Sequence, residues 1–463
     1  MTQPIRINAF VLAAPSHLSA GLWRHPRDRS VEYNTLAYWT DLAKIAERGL
    51  FDGIFLADGI SLYDVYRGSS DPALRLGVQF PRLDPMLLVP AMAGVTRNLG
   101  FGVTSSVTYE PPYLFARRMN TLDHLTQGRV GWNIVTSFGD SGTQALKGEN
   151  ARPHDLRYEV ADEYMDLVYK LWEGSWEDGA ARRDRSASVF VDPEKVHVID
   201  HRGEHFNSHG LFIGEPSPQR TPVLYQAGAS GRGRAFAAQH AECVFVGGPT
   251  RRVVRDIVRD IRERAVALGR RAEDIQFFAS LAVVVSPTRA AAEAKHREYL
   301  GYASLEGTAT LLSRWTGIDF STYGLDDVLK YVHTEGMQSA IARYTADPDR
   351  QWTLREVLER AAIGGGGALA VGSPGDVADE MQGWIDETGV DGFNLGYVLA
   401  HESFSDFADL VVPELQRRGL YKTAYATGTL REKLFGSGAS LPASHPAAKA
   451  RHWQHAGPAE AHA

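Results

Sequence analysis

Short apolar runs, each closed by a cluster of Gly, Asn, Asp or Ser, alternate along the chain with longer stretches in which apolar positions return at helical spacing. The runs predict buried strands at residues 5–12, 53–57, 101–107, 130–135, 223–226, 243–246, 275–285 and 392–398. The longer stretches predict helices at 36–48, 86–98, 113–125, 158–172, just after 230, 253–268, 289–302, 377–388 and 404–417. Strands alternating with helices predict an α/β fold, a (β/α)8 TIM barrel, with a doubly wound open sheet as the alternative. Residues 137–157, 174–221 and 303–375 break the repeat and are expected to be insertions within one barrel spanning residues 1–436. The third insertion holds the run Gly364, Gly365, Gly366, Gly367, readable as a lid hinge or as a plain linker. Residues 437–463 lack periodicity and are expected to form an extended C-terminal arm or to be partly disordered.

Composition then narrows the class. Hydrophobic residues make up 44% and charged residues 23%, enough for a large core, and no apolar run is long enough to span a bilayer. The start of the chain lacks the form of a signal peptide, so cytoplasmic residence is the expectation. A net charge of -7 argues against nucleic-acid and anionic membrane partners. The single Cys243 sits in a strand-like run and is expected to pack in the core.

Candidate chemistry centres on residues 223–238, a strand, a glycine-rich turn and a helix start. Gly228, Ala229 and Ser230 lead into a helix whose unpaired N–H groups suit a phosphate, and Arg232 and Arg234 are placed to add charge. The spacing is not G-x-G-x-x-G, so it announces no nicotinamide site; geometry alone is the other reading of such glycines. In a barrel, active sites form at the C-terminal strand ends. Those ends carry Asp58, Thr104, Ser105, Ser106, Asn133, Thr136 and Ser137, a set that suits a neutral hydrogen-bonding ring better than a metal, while each alone reads as a cap or turn residue. His154 and Tyr158 lie four apart at a helix start and so address one ligand from one face, or else Asp155 caps and Tyr158 packs. His201, His205 and His209 share that spacing, but the intervening Gly203, Asn207 and Gly210 favour turns and strands over a zinc-binding helix. Gly139 to Gly142 is read as a turn, not a protease nucleophile loop.

The runs FDGIFLAD (51–58), LFARRMNTLDH (114–124), GRVGWNIVTS (128–137), PSPQRTP (216–222) and QAGASGRG (226–233) resemble the nitrilotriacetate and dibenzothiophene-sulfone monooxygenase branch of the bacterial-luciferase-like flavin monooxygenases. GLWRHP (21–26), YDVYR (63–67), WEGSWED (172–178), HAECVF (240–245) and REKLFG (431–436) are similar to its long-chain alkane monooxygenase type. The resemblance implies a homodimeric or homotetrameric barrel that takes FMN as FMNH2 from a separate NAD(P)H-dependent flavin reductase. It also implies O2 as co-substrate, one oxygen atom of which enters a small apolar substrate of alkane, organosulfur or halo-aromatic type. It places FMN on Asp58, Thr104, Ser137, His154, Tyr158, Ala227, Gly228, Ala229 and Ser230, and the catalytic pocket on His17, Tyr63 and Gln79. His17 is the expected proton-handling or orienting group. Ala14 stands where that type has cysteine, and Phe138 and Leu311 where it has histidines, which leaves a bulkier and less polar pocket. A deazaflavin-dependent hydride-transfer enzyme and a non-catalytic flavin-binding protein are the alternatives.

Overall fold

A computed structural model describes residues 4–137, 140–150, 152–228, 230–248, 250–329 and 351–454. Its strands are β1 (Arg6–Leu12), β2 (Gly53–Ala57), β3 (Gly100–Ser106), β4 (Val130–Val135), β5 (Val198–Arg202), β6 (Asn207–Leu211), β7 (Val223–Gln226), β8 (Cys243–Val246), β9 (Gln276–Val285), β10 (Ala368–Gly372) and β11 (Gly392–Gly396). β9, β11, β1, β2, β3, β4, β7 and β8 follow one another around a ring, and β8 pairs back onto β9, so the sheet closes into the expected eight-stranded barrel. All of its ladders are parallel, with Asn8 opposite both Gly53 and Asn394 at the β1 junctions. Every strand predicted from the sequence is present. β10 was not predicted; it pairs with Leu281–Val285, continuing the ladder on β9 beyond the Gln276–Ala279 stretch taken by β8.

The helices are α1 (Leu36–Arg48), α2 (Asp71–Leu76), α3 (Val89–Ala93), α4 (Pro112–Leu125), α5 (Asp140–Lys147), α6 (His154–Tyr169), α7 (Gly231–His240), α8 (Arg251–Ala267), α9 (Arg289–Leu300), α10 (Leu305–Thr316), α11 (Leu354–Ala361), α12 (Pro374–Thr388), α13 (Glu402–Asp406), α14 (Val412–Arg417) and α15 (Leu430–Phe435). The helix expected over 86–98 stops at Ala93. Glu47 of α1 accepts from the N–H groups of Arg97 and Asn98 at 2.7 and 2.6 Å and draws that segment out of helical geometry. The expected 158–172 helix starts earlier, at His154, and ends in a π turn over Lys170–Gly174.

Inside the barrel, side chains stack in layers. Phe10, Phe55, Tyr225, Phe245 and Phe278 form an aromatic layer with edge-on or tilted ring contacts of 5.1 to 6.5 Å. Gly131 makes room for it: a Cβ there would lie 2.5 Å from the Tyr225 ring. Cys243 is fully buried in the same cluster, as expected. Below this layer Leu430 and Leu434 of α15 plug the floor. Beside them the buried Arg431 guanidinium meets Glu242 through two bonds of 2.7 and 2.9 Å.

The insertions are structured where described. Residues 174–221 carry the antiparallel hairpin β5–β6, with His201 and His209 on strands and His205 in the connection. Residues 303–375 contain α10, α11 and β10, which pack over the mouth. Gly364, Gly365 and Gly366 are buried with φ of 74°, 65° and 75°, three successive left-handed residues that only glycine adopts cheaply. A Cβ on Gly365 would lie 2.9 Å from Trp315, so the run is a packed turn and not a linker. The described part of the C-terminal arm is not extended: it runs in turns and two short 3-10 helices (Pro446–Ala450 and His452–Gln454) and is tied down, with Leu441, His445 and Ala447 buried and Arg451 paired to buried Glu173 at 2.7 Å. No helix among the described residues is long and apolar enough to cross a membrane.

Candidate active site

At the end of β7 the chain turns through Ala227 and Gly228, and Ser230 caps α7 by accepting from the Gly233 N–H at 3.0 Å. The His154 and Tyr158 rings, one helical turn apart on α6, stand 5.2 Å from each other over this turn. His154 Nε2 lies 3.4 Å from Ser230 Oγ. The Tyr158 hydroxyl closes the other side: a Cβ on Gly228 or Gly233 would come within 3.2 or 2.9 Å of it. Burial pushes the Tyr158 hydroxyl pKa up, so it stays a donor at neutral pH. Ala229 lies outside the described residues.

Two charges expected here are paired with carboxylates, Arg232 while lying 5.4 Å over the Tyr158 ring. Arg232 is ion-paired with Asp162, and Arg234 bonds Asp260 at 3.2 Å. Beside the ion-paired Arg232 the cradle offers neutral donors, namely the first-turn N–H groups of α7, hydroxyls and an imidazole, together with the positive end of the helix dipole.

Toward the barrel axis the strand ends form a hydrogen-bonded row. Asn133 Nδ2 donates to Thr104 Oγ1 at 2.9 Å, while Asn133 Oδ1 is buried with no partner among the described residues. Ser137 Oγ donates to Ser106 Oγ at 2.8 Å, and the Arg157 guanidinium holds the Ser137 carbonyl. Ser137 has φ of 54°, a left-handed geometry that a serine keeps only where its surroundings impose it. Burial raises the Asp58 carboxyl pKa, opposed by the Gly59 N–H and the charge of Arg82.

The pocket trio proves to be one network. The Tyr63 hydroxyl donates to Gln79 Oε1, and Gln79 Nε2 donates to the His17 carbonyl at 2.7 Å. Gln79 has φ of 48° and is fixed by Ser16 Oγ, which accepts from its N–H at 3.1 Å. The His17 ring packs 4.4 Å from Phe10; burial takes its pKa down to about 3, and Nδ1 reaches no partner among the described residues. It is therefore a neutral imidazole at pH 7 with a free nitrogen. Leu311 on α10 packs with Tyr63 and Trp315, and Ala14 is fully buried after β1. Phe138 lies outside the described residues.

Sequence reasoning missed Arg82, which donates to the Gln79 carbonyl at 2.7 Å and stacks 5.4 Å over the Tyr63 ring, and Trp315. No local motif marks either. Two surface clefts, of about 370 Å3 between α8 and α12 and about 280 Å3 beside Arg183 and Arg220, lie outside the barrel and hold none of these residues.

Comparisons with known proteins identify the family. The profile of the family described as luciferase-like monooxygenase matches residues 13–392. A dimethyl-sulfide monooxygenase of Hyphomicrobium sulfonivorans is 48% identical over 453 residues, covering 97% of this chain and 94% of that protein. Its crystal structure superposes with a TM-score of 0.92, covering 99% of this chain and all of the other. A long-chain alkane monooxygenase of Geobacillus thermodenitrificans is 47% identical over 452 residues, covering 97% and 99% of the two chains. A riboflavin lyase crystallised with modified FMN and riboflavin is 38% identical with a TM-score of 0.90, covering 97% of this chain and 100% of that one. These matches span nearly the whole chain, and the chain belongs to the luciferase-like monooxygenase family.

Proposed function

We propose that the protein is a two-component flavin monooxygenase that takes FMNH2 from an NAD(P)H-dependent flavin reductase and inserts one atom of O2 into a small apolar substrate. The observation that carries this reading is the cradle at Gly228, Ser230 and Gly233, roofed by His154 and Tyr158 and continuous with the Thr104, Asn133 and Ser137 row. It fits a phosphorylated ring cofactor on two counts. A Cβ on Gly233 would lie 3.1 Å from both the Gly228 Cα and Ser230 Oγ, so the turn leaves its N–H groups accessible only with glycine there. The unpartnered Asn133 Oδ1 is an acceptor awaiting a donor, and such groups are rarely left unmet.

Reduced FMN, when bound, supplies the electrons that activate O2. The protein's own residues do the rest. Ser230, Tyr158, His154 and the α7 N-terminus hold the phosphate, and Asp58, Thr104, Asn133 and Ser137 orient the ring. Tyr63 and Gln79 brace each other and fix the loop that carries His17. His17 presents an uncharged nitrogen to the pocket, as acceptor or, once protonated, as donor. Leu311 and Trp315 exclude water from the mouth. Ala14 and Leu311 make the wall apolar, which favours a thioether, alkane or halo-aromatic substrate, and similarity to the dimethyl-sulfide enzyme puts small thioethers first. A homodimer or homotetramer is the assembly we propose, read out by light scattering.

The test is turnover with a flavin reductase, NADH, FMN and ¹⁸O₂ across dimethyl sulfide, alkanes and halo-aromatics, followed by mass spectrometry. One labelled oxygen atom in a product supports the reading. Oxygen uptake without labelled product, or substrate reduction with no oxygen uptake, overturns it, the latter in favour of hydride transfer.

A further inference from the structure

Three buried side chains carry polar atoms that the fold leaves unmet and that follow one another out of the barrel mouth. His17 Nδ1, the Tyr397 hydroxyl and both ring nitrogens of His401 are shielded from solvent and make no hydrogen bond among the described residues. Tyr397 comes directly after β11, beside β1, with its ring 6.1 Å from that of His17. Tyr38 and Asp28 face it from α1 and the loop before α1. The Tyr38 ring in turn lies 4.4 Å from His401. Beyond His401 the chain of neighbours reaches the surface at Arg29, which bonds Glu32 at 2.7 Å and Asp41 at 3.1 Å, both half-buried.

His401 bears two costs together. Its φ is 68° and its ψ -46°, a positive-φ geometry that strains a non-glycine residue, and the residue, only 5% exposed, leaves both ring nitrogens without a hydrogen bond among the described residues. Buried polar atoms without protein partners are met by ordered water, and successive unmet atoms from pocket to surface mark where a file of such waters runs.

We propose that His17, Tyr397 and His401 line a buried water file that passes protons between the barrel mouth and the surface carboxylates Glu32 and Asp41. The proposal rests on the monooxygenase reading. In that reaction FMNH2, O2 and substrate give FMN, oxygenated substrate and one H2O, so the two hydrogens lost by the flavin equal the two gained by water. The file brings a proton to the oxygen that leaves as water and returns to solvent the proton released by the flavin. Its groups suit a proton relay, because burial holds both imidazoles uncharged, with Arg82 near His17 and Arg29 near His401 adding to the effect and Asp41 and Glu32 opposing it. Tyr397, buried between them, keeps its hydroxyl protonated. Tyr397 and His401 act through water and touch neither substrate nor cofactor; they are positioning residues for the relay.

The test uses the full chain with Tyr397→Phe, which keeps the ring, and His401→Asn, which removes the imidazole and keeps a polar side chain. A high-resolution crystal structure of the ligand-free wild type is expected to show ordered waters bridging His17 Nδ1, the Tyr397 hydroxyl and His401. Both variants are expected to bind FMN as the wild type does. Reoxidation of bound reduced FMN by O2, which needs no substrate, is expected to slow severalfold toward high pH, with a larger solvent deuterium effect. A dry interior, or pH profiles and isotope effects equal to wild type in both variants, overturns the proposal. If the wild type reoxidises FMNH2 but oxygenates no substrate, the monooxygenase reading fails while the crystal waters and the pH profile still decide the file.

Discussion

Replacing Ser230 separates phosphate recognition from folding, because one oxygen serves both. Ser230 Oγ accepts from the Gly233 N–H at 3.0 Å, capping α7, and stands exposed at the cradle 3.4 Å from His154 Nε2. In Ser230→Ala the cap is lost, which costs about 1 kcal/mol of stability. The hydroxyl's bond to a charged phosphate is worth roughly 1.5–3 kcal/mol. Since Ser230 is exposed and the backbone donors of α7 remain, the lower end applies, about a tenfold rise in the FMN Kd. Ser230→Gly sharpens the separation: glycine caps almost as well as serine, so stability recovers while the affinity loss persists. Ser230→Thr restores both. The assay is titration of protein fluorescence with FMN and, in parallel, with riboflavin, which shares the ring and lacks the phosphate. The loss is expected for FMN and absent for riboflavin. Equal losses for the two ligands, or an unchanged FMN Kd in both Ala and Gly variants, refute the assignment of this turn to the phosphate.

The other expectations concern the cradle, the floor and acid stability. Gly233→Ala puts a methyl 2.9 Å from the Tyr158 hydroxyl and 3.1 Å from the Gly228 Cα, and is expected to weaken FMN binding more than Ser230→Ala while leaving the circular dichroism spectrum native. Arg431→Met leaves the buried Glu242 carboxylate without its cation and is expected to cost about 3–5 kcal/mol in denaturant unfolding, with FMN affinity of the folded fraction unchanged. His17 and His401 have pKa values of about 3 and about 4, below the ordinary 6.5, and His445 is also held well below it, in each case mainly by burial. Below pH 6.5 the unfolded chain binds protons that the folded one refuses, so stability held above that pH is lost progressively as pH falls toward the folded values. A thermal midpoint that stays flat from about pH 7 to about pH 5 contradicts this.

The barrel was legible because parallel strands buried on both faces read as continuous apolar runs, as in Val130–Val135 and Gln276–Val285. β10 was not, since its five residues follow a glycine run and resemble linker, and only the uncovered end of β9 makes them a strand. The end of α3 was hidden for a similar reason: Glu47 is some fifty positions away from the N–H groups it captures. In the site, the turn at Ser230 could be read because cap, glycines and helix start are adjacent in the chain. The partners of Arg232 and Arg234 were not legible, because Asp162 and Asp260 are 70 and 26 residues distant. Nothing local joins His17, Tyr63, Gln79 and Leu311; resemblance supplied the positions, and the hydrogen bonds Tyr63 to Gln79 to His17 show why they belong together.

The floor of the barrel has a consequence for synthesis. β1 pairs with β2 on one side and β11 on the other, and Leu430, Arg431 and Leu434 close the base beneath the aromatic layer, so β1 obtains its second partner, and the barrel its floor, only from the last part of the chain. A ribosome delivers those partners last. Throughout translation the growing sheet keeps an unpaired edge at β1 and a solvent-wet aromatic interior, and it becomes a cylinder only once Gly396 and then Leu434 have emerged. Truncation before residue 430 therefore does more than shorten the molecule: it leaves the nascent sheet in its most adhesive form, the one that chaperones capture.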